Sequence, residues 1–473
     1  MGGKDIVSEI VRRRIADIEK KGYCFGHQIP EKRTRAVNPF MEGKGVILEV
    51  KRASPSKGDI APSLDAAAAA LRYASCGAGA ISCLTEENYF KGSLKDLMDV
   101  CNALPTTPVL RKDFLVDEKE IEISYRAGCD AVLLIAGILT QEKLLSMTGC
   151  CASLGIRALV EVRTEDDVRK VSLVKEKYPS TVVCGVNSRN LKDFSIDLLV
   201  PAMLKEKLGG KVVFESGVTT SDAAAKIASM GFTGMLLGEY AARNPESAGR
   251  FVSAFMNAGE NQCGKKTVEL AKKVSASEKP MVKICGLTRP EDVLLADSLG
   301  SDFVGFVFSA GFSRNVYGER FSAIERILPG IKAMKVAVIT ETESAEAKYA
   351  AGLVKSGVID FLQMHGIRPE DVPESMRDVP HYFSVTDSTG GKSQADFLSS
   401  LGEARFLIDS KKHDFSGSGH LWIAGGITPE NVADLVREFS PELVDVSGGV
   451  EENDAGIKDE EKMRKFFKEI RNI

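Results

Sequence analysis

Residues 131–162 have the sequence AVLLIAGILTQEKLLSMTGCCASLGIRALVEV. Two short apolar runs, residues 131–136 and 158–162, flank a longer segment of mixed polar and apolar residues. Short apolar runs without polar alternation are typical of strands that are buried on both faces of a parallel sheet. This stretch therefore predicts a strand, a helix and a second strand that is parallel to the first.

The same alternation continues along the first half of the chain. Segments whose apolar residues have helical spacing, such as residues 64–71 and 223–230, lie between further apolar runs. The eight runs are residues 46–50, 80–84, 108–112, 131–136, 158–162, 182–186, 212–216 and 235–238. Eight buried strands in about 250 residues favour a closed barrel over an open sheet with helices on both faces.

A polar, lysine-rich segment at residues 257–280 interrupts the pattern and indicates a domain boundary. Eight more apolar runs follow, at residues 281–285, 303–308, 334–339, 361–365, 381–385, 405–409, 421–426 and 443–449. The predicted fold class is α/β, with two tandem (β/α)8 TIM barrels. We expect a first domain at residues 1–255, a linker at 256–279 and a second domain at 280–473. The first domain includes an N-terminal helical extension that covers the barrel base or the substrate.

The composition argues against several classes of partner. The 473 residues contain 62 Lys and Arg against 66 Asp and Glu, a net charge of −4, so the basic excess typical of nucleic-acid binding is lacking. No apolar run approaches the ~20 residues that span a bilayer, and residues 1–21 have an amphipathic pattern without a signal peptide's apolar core. We expect an ordinary soluble, cytoplasmic protein.

The ten cysteines and five histidines bear on metal binding and redox state. The cysteines form no C-x-x-C motif and no cluster with histidine, and no two histidines have the spacing of zinc ligands. The sequence therefore predicts reduced thiols and no metal site built on histidine.

Polar side chains end several strands of the first predicted barrel. Glu49 and Lys51 are two residues apart on the first strand, so both side chains point the same way. The further polar residues at strand ends are Lys112, Glu161, Asn187, Glu215 and Ser216. A single charge at a strand end is usually a surface residue, but two lysines and three carboxylates at equivalent ends predict one active-site cavity.

Glycines mark candidate phosphate sites in the first barrel. Gly217 follows the seventh strand and Gly238 follows the eighth, where barrels commonly bind phosphate through backbone N–H groups. Turn formation is the alternative explanation for each glycine. Ser54 and Lys57, after the first strand, are candidates for hydroxyl and ammonium contacts, although such a loop is usually only a connection.

The second predicted barrel has different groups at its strand ends. Cys285 ends the first strand and Asp409 the sixth, a thiol and a carboxyl that can act as base and acid. For Cys285 the alternative is a small buried side chain. Arg314 is a candidate anion ligand, and His365 is a strand-end residue for which a bond to backbone is the simpler explanation. Candidate phosphate contacts are Gly425, Gly426, Ser447, Gly448 and Gly449.

Motifs in the two halves of the chain resemble two known families. The strings EVKRASPSKGDI, LTEENYFKGS, VLRKDFLVD, ALVEV, GVNSRNL and FESGV resemble, in this order, the indole-3-glycerol-phosphate synthase family of tryptophan biosynthesis, over residues 1–255. The strings VKICGLTRPED, DFVGFVF, FLQMHG, LIDS, AGGITPENV and VDVSGGVE resemble phosphoribosylanthranilate isomerase, over residues 280–473. The resemblance implies a fused bifunctional enzyme, a carboxy-lyase joined to an intramolecular oxidoreductase.

For the first barrel, the resemblance implies indole ring closure with loss of CO2 and water. Lys112 matches the family's general acid, and Glu161 matches a carboxylate that acts as a base or stabilises a cationic intermediate. The other implied catalytic residues are Lys51, Glu49, Asn187 and Glu215. The division of acid and base roles between Lys51 and Lys112 stays open. The implied substrate contacts are Ser54, Pro55, Phe90, Arg189, Ser216, Gly217 and Gly238, with Pro55 and Phe90 against the anthranilate ring.

For the second barrel, the resemblance implies an Amadori rearrangement of N-(5'-phosphoribosyl)anthranilate to 1-(2-carboxyphenylamino)-1-deoxyribulose 5-phosphate. Asp409 matches the general acid that opens the furanose ring, and Cys285 matches the base that removes the C2 proton as a thiolate. Arg314 matches the residue that orients the anthranilate carboxylate, and Asp445 matches a polar residue near the sugar hydroxyls. The product of this barrel is the substrate of the first.

Three other hypotheses stay open at this point. The first is that only one of the two barrels is active. The second is that the chain is another phosphate-binding barrel isomerase or aldolase that uses Lys51 or Lys112 as a Schiff-base amine. The third is that the barrels are a scaffold for other enzymes. The implied steps are proton transfers, dehydration and decarboxylation, so we expect no organic cofactor and no metal. The expected partners are phosphorylated small molecules, without nucleic acid or membrane, and the chain is expected to be monomeric with weak channelling at best.

Overall fold

The computed structural model describes residues 6–190, 195–386, 392–401, 403–412 and 420–473. The chain divides into two compact units, Met1–Glu260 and Asn261–Ile473. Among the described residues, each unit is built around one closed barrel of eight parallel strands. The predicted α/β fold with two tandem barrels is therefore confirmed.

The strands of the first unit form the barrel and one short antiparallel hairpin, β2 with β3. Their bounds are β1 (Gly45–Val50), β2 (Ala53–Ser54), β3 (Gly58–Asp59), β4 (Ala80–Leu84), β5 (Val109–Lys112), β6 (Ala131–Ile135), β7 (Arg157–Val162), β8 (Val182–Asn187), β9 (Val212–Glu215) and β10 (Gly234–Leu237). Ile47 of β1 is in register with Ala80 of β4 and with Leu236 of β10, and this double pairing closes the barrel. Each predicted apolar run overlaps one barrel strand, because these strands are buried on both faces.

The helices of the first unit are α1 (Ile6–Lys21), α2 (Ala66–Ser75), α3 (Leu94–Ala103), α4 (Glu118–Arg126), α5 (Gln141–Leu154), α6 (Glu165–Lys177), α7 (Leu199–Leu208), α8 (Ser221–Ser229), α9 (Glu239–Arg243) and α10 (Ala248–Asn257). Polar side chains start many of them. The Asp117 carboxylate accepts the Lys119 backbone N–H and forms a capping box with Glu120 at α4, and Thr164 with Asp167 forms another at α6. These caps end the loops that carry the strand-end groups.

The helix α1 lies over the carboxyl ends of the first barrel's strands. Its Glu9 accepts a hydrogen bond from Tyr89 Oη at 2.9 Å, and its Asp17 accepts one from Asn88 Nδ2 at 3.1 Å. Val7 and Ile10 of α1 are buried in the apolar cluster of the barrel. Because Asn88 and Tyr89 follow β4, the N-terminal helical extension covers the barrel mouth rather than its base.

The second barrel is built from shorter elements. Its strands are β11 (Met281–Ile284), β12 (Phe303–Val307), β13 (Met334–Ile339), β14 (Phe361–His365), β15 (His381–Thr386), β16 (Leu407–Asp409), β17 (Trp422–Ala424) and β18 (Leu443–Val446). Its helices are α11 (Gln262–Ala276), α12 (Pro290–Ser298), α13 (Glu319–Glu325), α14 (Ala345–Lys355), α15 (Glu374–Arg377), α16 (Lys392–Leu401), α17 (Val432–Phe439) and α18 (Glu460–Arg471). The strand β11 pairs with β12 and with β18, which closes this barrel.

The segment 256–279, which the sequence analysis assigns to a linker, includes the helix α11. Gln262 Nε2 donates to the Val354 carbonyl at 2.6 Å, and Lys266 Nζ lies 2.8 Å from Asp360 Oδ1. Val268, Leu270 and Ala271 are buried. The lysine-rich composition therefore belongs to an amphipathic helix that packs within the second unit.

No helix among the described residues is both long and apolar enough to cross a membrane.

Candidate active sites

The mouth of the first barrel holds a buried carboxylate between two lysines. Glu49 ends β1 and is 1% exposed, with its Oε1 2.9 Å from Lys51 Nζ and its Oε2 3.6 Å from Lys112 Nζ. Lys112 Nζ also lies 4.0 Å from Glu215 Oε2. The strand ends that are far apart in sequence therefore bring their charged groups together, as predicted for a shared cavity.

These contacts determine which protonation states the site favours. Burial by itself would raise the pKa of Glu49, but the ammonium groups of Lys51 and Lys112 outweigh it and lower this pKa to about 2. For Lys112, burial opposes the charged form, yet the carboxylates of Glu49, Glu215 and Glu161 raise the pKa above its usual value. At neutral pH the site therefore contains a Glu49 carboxylate and a Lys112 ammonium group.

Glu161 and Glu215 form a second part of the same cavity. Asn187 Nδ2 donates to Glu161 Oε1 at 3.0 Å, which orients this carboxylate. Burial and the neighbouring charge of Glu161 raise the pKa of Glu215 well above its ordinary value, against the lowering effect of Lys112. The protonated form of Glu215 is therefore favoured by its surroundings.

An aromatic residue, Phe90, lies near the lysines in the loop that follows β4. The Phe90 ring has its centroid 5.7 Å from Lys51 Nζ and 6.2 Å from the centroid of Phe114. Ser54 is buried in β2, and Pro55 is half-buried in the hairpin that follows it. The Phe90 ring therefore places an apolar surface beside the Lys51 ammonium group.

Glu86 is a residue of this region that the sequence analysis missed. Its side chain is 4% exposed and accepts the backbone N–H groups of Asn88, Tyr89 and Phe90. The carboxylate therefore shapes the loop that presents the Phe90 ring. Its position directly after β4, in LTEENYF, is the signal that would have found it.

The predicted phosphate loops surround the same cavity. Ser216 and Gly217 have φ of +72° and +76°, so the chain turns sharply after β9. Gly238 follows β10, where an added Cβ would lie 2.6 Å from Glu49 Oε1. The absence of a side chain at Gly238 thus leaves room for the Glu49 carboxylate. Arg189 follows β8, and burial lowers the pKa of its guanidinium, partly offset by Glu239 and Glu49.

Gly185 is a second residue that the sequence analysis missed. It lies in β8, where an added Cβ would clash with Glu215 Oε1 and would lie 3.2 Å from Leu159. The glycine therefore creates the space that the Glu215 carboxyl occupies inside the barrel. A glycine inside an otherwise apolar strand was the available signal.

Cys285 follows β11 in the mouth of the second barrel, beside a lysine that the sequence analysis did not select. Lys283 Nζ donates to Cys285 Sγ at 3.6 Å and to Asp445 Oδ2 at 2.6 Å. Burial raises the pKa of the Cys285 thiol, while the charges of Lys283 and Lys458 oppose this rise and Asp445 adds to it. Asp445 therefore lies beside the thiol, paired with Lys283.

Asp409 ends β16 and interacts with His365 at the end of β14. Burial raises the pKa of Asp409, against the lowering effect of His365. Burial also lowers the pKa of His365, partly offset by the charge of Asp409. Both directions shift this pair towards its uncharged forms. A protonated carboxyl group can donate a proton.

Arg314 is held by a carboxylate in the structure. Its Nε donates to Glu451 Oε1 at 2.8 Å and its Nη2 to Glu451 Oε2 at 2.6 Å. Lys458 Nζ donates to the same Glu451 Oε1 at 2.9 Å. Burial would raise the pKa of Glu451, but its bond to Arg314 and the charge of Lys458 lower it to about 2. The predicted anion ligand is therefore oriented by a residue that the sequence analysis missed.

The glycine loops of the second barrel come close to its polar groups. At Gly425, with φ of +96°, an added Cβ would lie 2.7 Å from Asp409 Oδ1. Gly426 has φ of +63° and is exposed. Ser447 and Gly448 follow β18, and at Gly448 an added Cβ would lie 3.5 Å from Arg314 Nη2. At Gly449, an added Cβ would clash with the carbonyl oxygen of Ile427.

Two family models match the chain. Residues 6–252 match "Indole-3-glycerol phosphate synthase", and residues 282–469 match "N-(5'phosphoribosyl)anthranilate (PRA) isomerase". The two matches correspond to the two barrels, in the order in which they occur along the chain.

Similar proteins include fused and single-domain enzymes. A multifunctional tryptophan biosynthesis protein of Schizosaccharomyces pombe is 30% identical over 90% of this chain and 59% of its own length. The tryptophan biosynthesis protein TrpCF of Vibrio parahaemolyticus is 29% identical over 90% of this chain and 84% of its own. The indole-3-glycerol phosphate synthase of Bacillus anthracis is 34% identical over 50% of this chain and 91% of its own. The chain thus spans about three fifths of the S. pombe relative.

Among solved structures, the phosphoribosyl anthranilate isomerase of Thermotoga maritima is similar to part of this chain. It is 28% identical, with a TM-score of 0.35, over 41% of this chain and 100% of the other.

Proposed function

The chain belongs to the indole-3-glycerol phosphate synthase family and carries an N-(5'-phosphoribosyl)anthranilate isomerase domain in its second half, and we propose on this basis that it is a bifunctional enzyme of tryptophan biosynthesis. The second barrel converts N-(5'-phosphoribosyl)anthranilate to 1-(2-carboxyphenylamino)-1-deoxyribulose 5-phosphate. The first barrel converts this ketone to indole-3-glycerol phosphate, CO2 and water. The observation that carries the proposal is the presence of both family matches in one chain, each over a barrel with charged groups at its mouth.

In the proposed isomerase reaction, Asp409 donates a proton to the furanose ring oxygen, and ring opening leaves a Schiff base. Its raised pKa supports this role because a carboxyl group must be protonated to act as an acid at neutral pH. The Cys285 thiolate then removes the C2 proton, and the resulting enolamine tautomerises to the ketone. Arg314 binds the anthranilate carboxylate, and the loops at Gly425–Gly426 and Ser447–Gly449 bind the phosphate.

In the proposed synthase reaction, the Lys112 ammonium group donates a proton to the ketone oxygen as the aromatic carbon attacks it. Its raised pKa keeps this proton available. The attack breaks the aromaticity of the ring and leaves a positive charge that the nitrogen stabilises. Loss of CO2 from the attacking carbon returns the bonding electron pair to the ring, and loss of water completes the indole. Glu161, held by Asn187, stabilises the cationic intermediate, while Lys51 binds the substrate carboxylate beside Phe90. The loops at Ser216–Gly217 and Gly238 bind the phosphate.

The same charges argue against a Schiff base at Lys112. A lysine that attacks a carbonyl group must lose its proton, and enzymes achieve this by lowering its pKa. At Lys112 the carboxylates of Glu49, Glu215 and Glu161 instead raise the pKa. Borohydride added with substrate is expected to leave the mass of the protein unchanged.

The test uses two full-length variants, Lys112→Met and Cys285→Ser. A time course starts from N-(5'-phosphoribosyl)anthranilate that is generated in situ, and the substrate, the ketone and indole-3-glycerol phosphate are quantified. We expect Lys112→Met to accumulate the ketone, and Cys285→Ser to leave the first substrate unconverted, with each loss about 100-fold or more. Each variant is expected to keep the reaction of the other barrel. A wild-type chain that converts neither compound would contradict the proposal.

We also propose that the enzyme needs no metal, acts as a monomer and works in the cytoplasm. The protein's own groups supply the proton transfers of the proposed steps, so activity is expected to persist after dialysis against a chelator. Sedimentation velocity is expected to give the mass of one chain. A metal requirement or a stable dimer would contradict the corresponding part.

A further inference from the structure

Lys283 is a buried lysine whose ammonium group faces three protein atoms. The residue is 0% exposed, and its Nζ donates to Asp445 Oδ2, to Gln363 Oε1 and to Cys285 Sγ. An ammonium group has three N–H donors, and these contacts use all of them. Lys283 therefore has no donor left for a substrate, and any effect on the reaction acts through a neighbouring residue.

Several charged side chains surround Cys285. Its own strand β11 provides Lys283, β18 provides Asp445, the loop after β12 provides Arg314, and Lys458 precedes α18. Tyr382 of β15 also faces the thiol, with burial raising the pKa of its hydroxyl, so it stays neutral. Lys458 and Arg314 share the single carboxylate of Glu451, while Lys283 pairs with Asp445. Lys283 is the cation that contacts the sulfur directly, and Asp409 and His365 also face its ammonium group.

A glycine in the neighbouring strand β12 leaves space for the side chains of Lys283 and Cys285. At Gly305 of β12, an added Cβ would lie 2.8 Å from Cys285 Sγ and 3.1 Å from Lys283 Cε. A larger residue there would push the thiol and the ammonium group apart. Lys283 in β11 and Cys285 directly after it are two residues apart in extended chain, so their side chains point the same way and pack side by side.

We infer that Lys283 is a positioning residue of the isomerase site, whose ammonium group stabilises the thiolate form of Cys285 and holds its sulfur at the reacting carbon. This inference rests on the proposed isomerase function. In the step concerned, the C2–H bond breaks, the proton bonds to Sγ, and the electron pair moves into the Schiff-base system. Lys283 keeps its own protons throughout.

The test measures the thiol directly, so that it does not depend on turnover. The full chain is treated with iodoacetamide at a series of pH values, and alkylation of the peptide that contains Cys285 is quantified by mass spectrometry. Removal of a positive charge next to a thiol is expected to move the midpoint of reactivity up by about 1 to 3 pH units in Lys283→Met. The acid-side limb of isomerase kcat/KM is expected to move in the same direction. Lys283→Arg keeps the positive charge, so its midpoint is expected to lie close to that of the wild type.

Two controls separate charge from damage to the fold. Lys335→Met removes a half-buried lysine of β13 in the same barrel and is expected to leave the midpoint unchanged. Synthase activity, measured on the same sample, reports that the first unit is intact. An unchanged midpoint in Lys283→Met would overturn the inference, whereas a shifted midpoint in a chain without isomerase activity would overturn only the proposed function.

A second variant applies if Lys283→Met does not fold. Asp445→Asn keeps an oxygen acceptor for Lys283 but removes the negative charge that raises the pKa of the thiol. The midpoint of Cys285 alkylation is then expected to fall, a direction that a loosened site would not produce. A midpoint that stays in place or rises in Asp445→Asn would overturn the inference.

Discussion

Two glutamates of the first barrel show how neighbouring residues determine the chemistry of a side chain. Glu49 and Glu215 are both 1% exposed, so burial opposes ionisation of each. Two lysines lower the pKa of Glu49 to about 2, whereas the charge of Glu161 helps to raise the pKa of Glu215. The same residue type is therefore held ionised at position 49 and shifted towards its protonated form at position 215.

The Glu49→Gln variant tests this arrangement through the pH dependence of the synthase. Glu49 contributes the largest of the charge effects that raise the pKa of Lys112. Without this anion the pKa of Lys112 falls, so the acid loses its proton at lower pH. The alkaline limb of synthase kcat/KM is expected to move down by about 1 to 3 pH units.

The matched control for this variant is Glu42→Gln, which removes an exposed carboxylate of the same unit. It is expected to leave the alkaline limb in place. An alkaline limb that is the same in Glu49→Gln and the wild type would show that Lys112 is not the proton donor or that Glu49 does not affect it.

The Gly425→Ala variant tests the space that the second barrel leaves for its acid. The new Cβ would lie 2.7 Å from Asp409 Oδ1, and displacement of a catalytic group by about 1 Å can cost about 100-fold in rate. We expect isomerase kcat/KM to fall by about this factor while synthase activity stays constant. Steady-state assays of both reactions on one preparation provide the measurement.

Gly318→Ala is the control for backbone strain. Gly318 has φ of +94°, close to the +96° of Gly425, but nothing lies within 4 Å of its Cβ position. The two variants therefore share the cost of a left-handed alanine, and only Gly425→Ala adds the clash. Equal loss of isomerase activity in both would contradict the steric explanation.

Among the elements, α1 shows how a helix outside the barrel contributes to its site. Arg14 is 5% exposed, and its guanidinium lies 2.5 Å from Glu120 Oε1 and 3.0 Å from Asp113 Oδ2. Asp113 follows directly after Lys112, and Glu120 lies in α4. The helix is thus joined to the loop beside the proposed general acid, and it also bonds to the loop that carries Phe90.

The Arg14→Ala variant tests this attachment. Removing one partner leaves buried carboxylates without their full counter-charge, which typically costs about 3–5 kcal/mol. We expect a lower melting temperature for the first unit and weaker synthase activity, without change in the isomerase. Thermal unfolding and the two assays measure these effects.

Arg12→Ala removes an exposed arginine of the same helix and serves as the control. It is expected to behave as the wild type. If Arg14→Ala keeps full stability and full synthase activity, α1 does not depend on this ion pair for its position.

At the scale of the whole molecule, each site lies inside one unit. The groups of the first site come from residues 49–238, and those of the second from residues 283–458. Each barrel therefore holds the residues of its own proposed reaction.

A mixing experiment tests this separation. Equal amounts of Lys112→Met and Cys285→Ser chains are combined with the first substrate. The mixture is expected to form indole-3-glycerol phosphate after a lag, because released ketone reaches the active synthase of the other chain. Absence of this product, with each variant active in its remaining reaction, would indicate direct transfer within one chain.

The sequence by itself determined the two barrels and most of the polar groups at their mouths. An apolar run predicts a buried strand locally, and the end of each run shows which side chain reaches the mouth, as at Glu49, Lys112 and Asp409. The helix at residues 262–276 was not predicted, because lysines on its exposed face resemble a linker.

Only the tertiary structure decided which of these groups touch and which protons they hold. Lys283 meets Gln363 and Asp445, which are 80 and 162 positions away, and Arg314 meets Glu451 at 137 positions. The spacing along the chain cannot specify such pairs, because barrel closure and loop paths bring them together. The protonation of a buried group depends on the balance between its desolvation and the charges within a few ångströms, and both are properties of the folded chain.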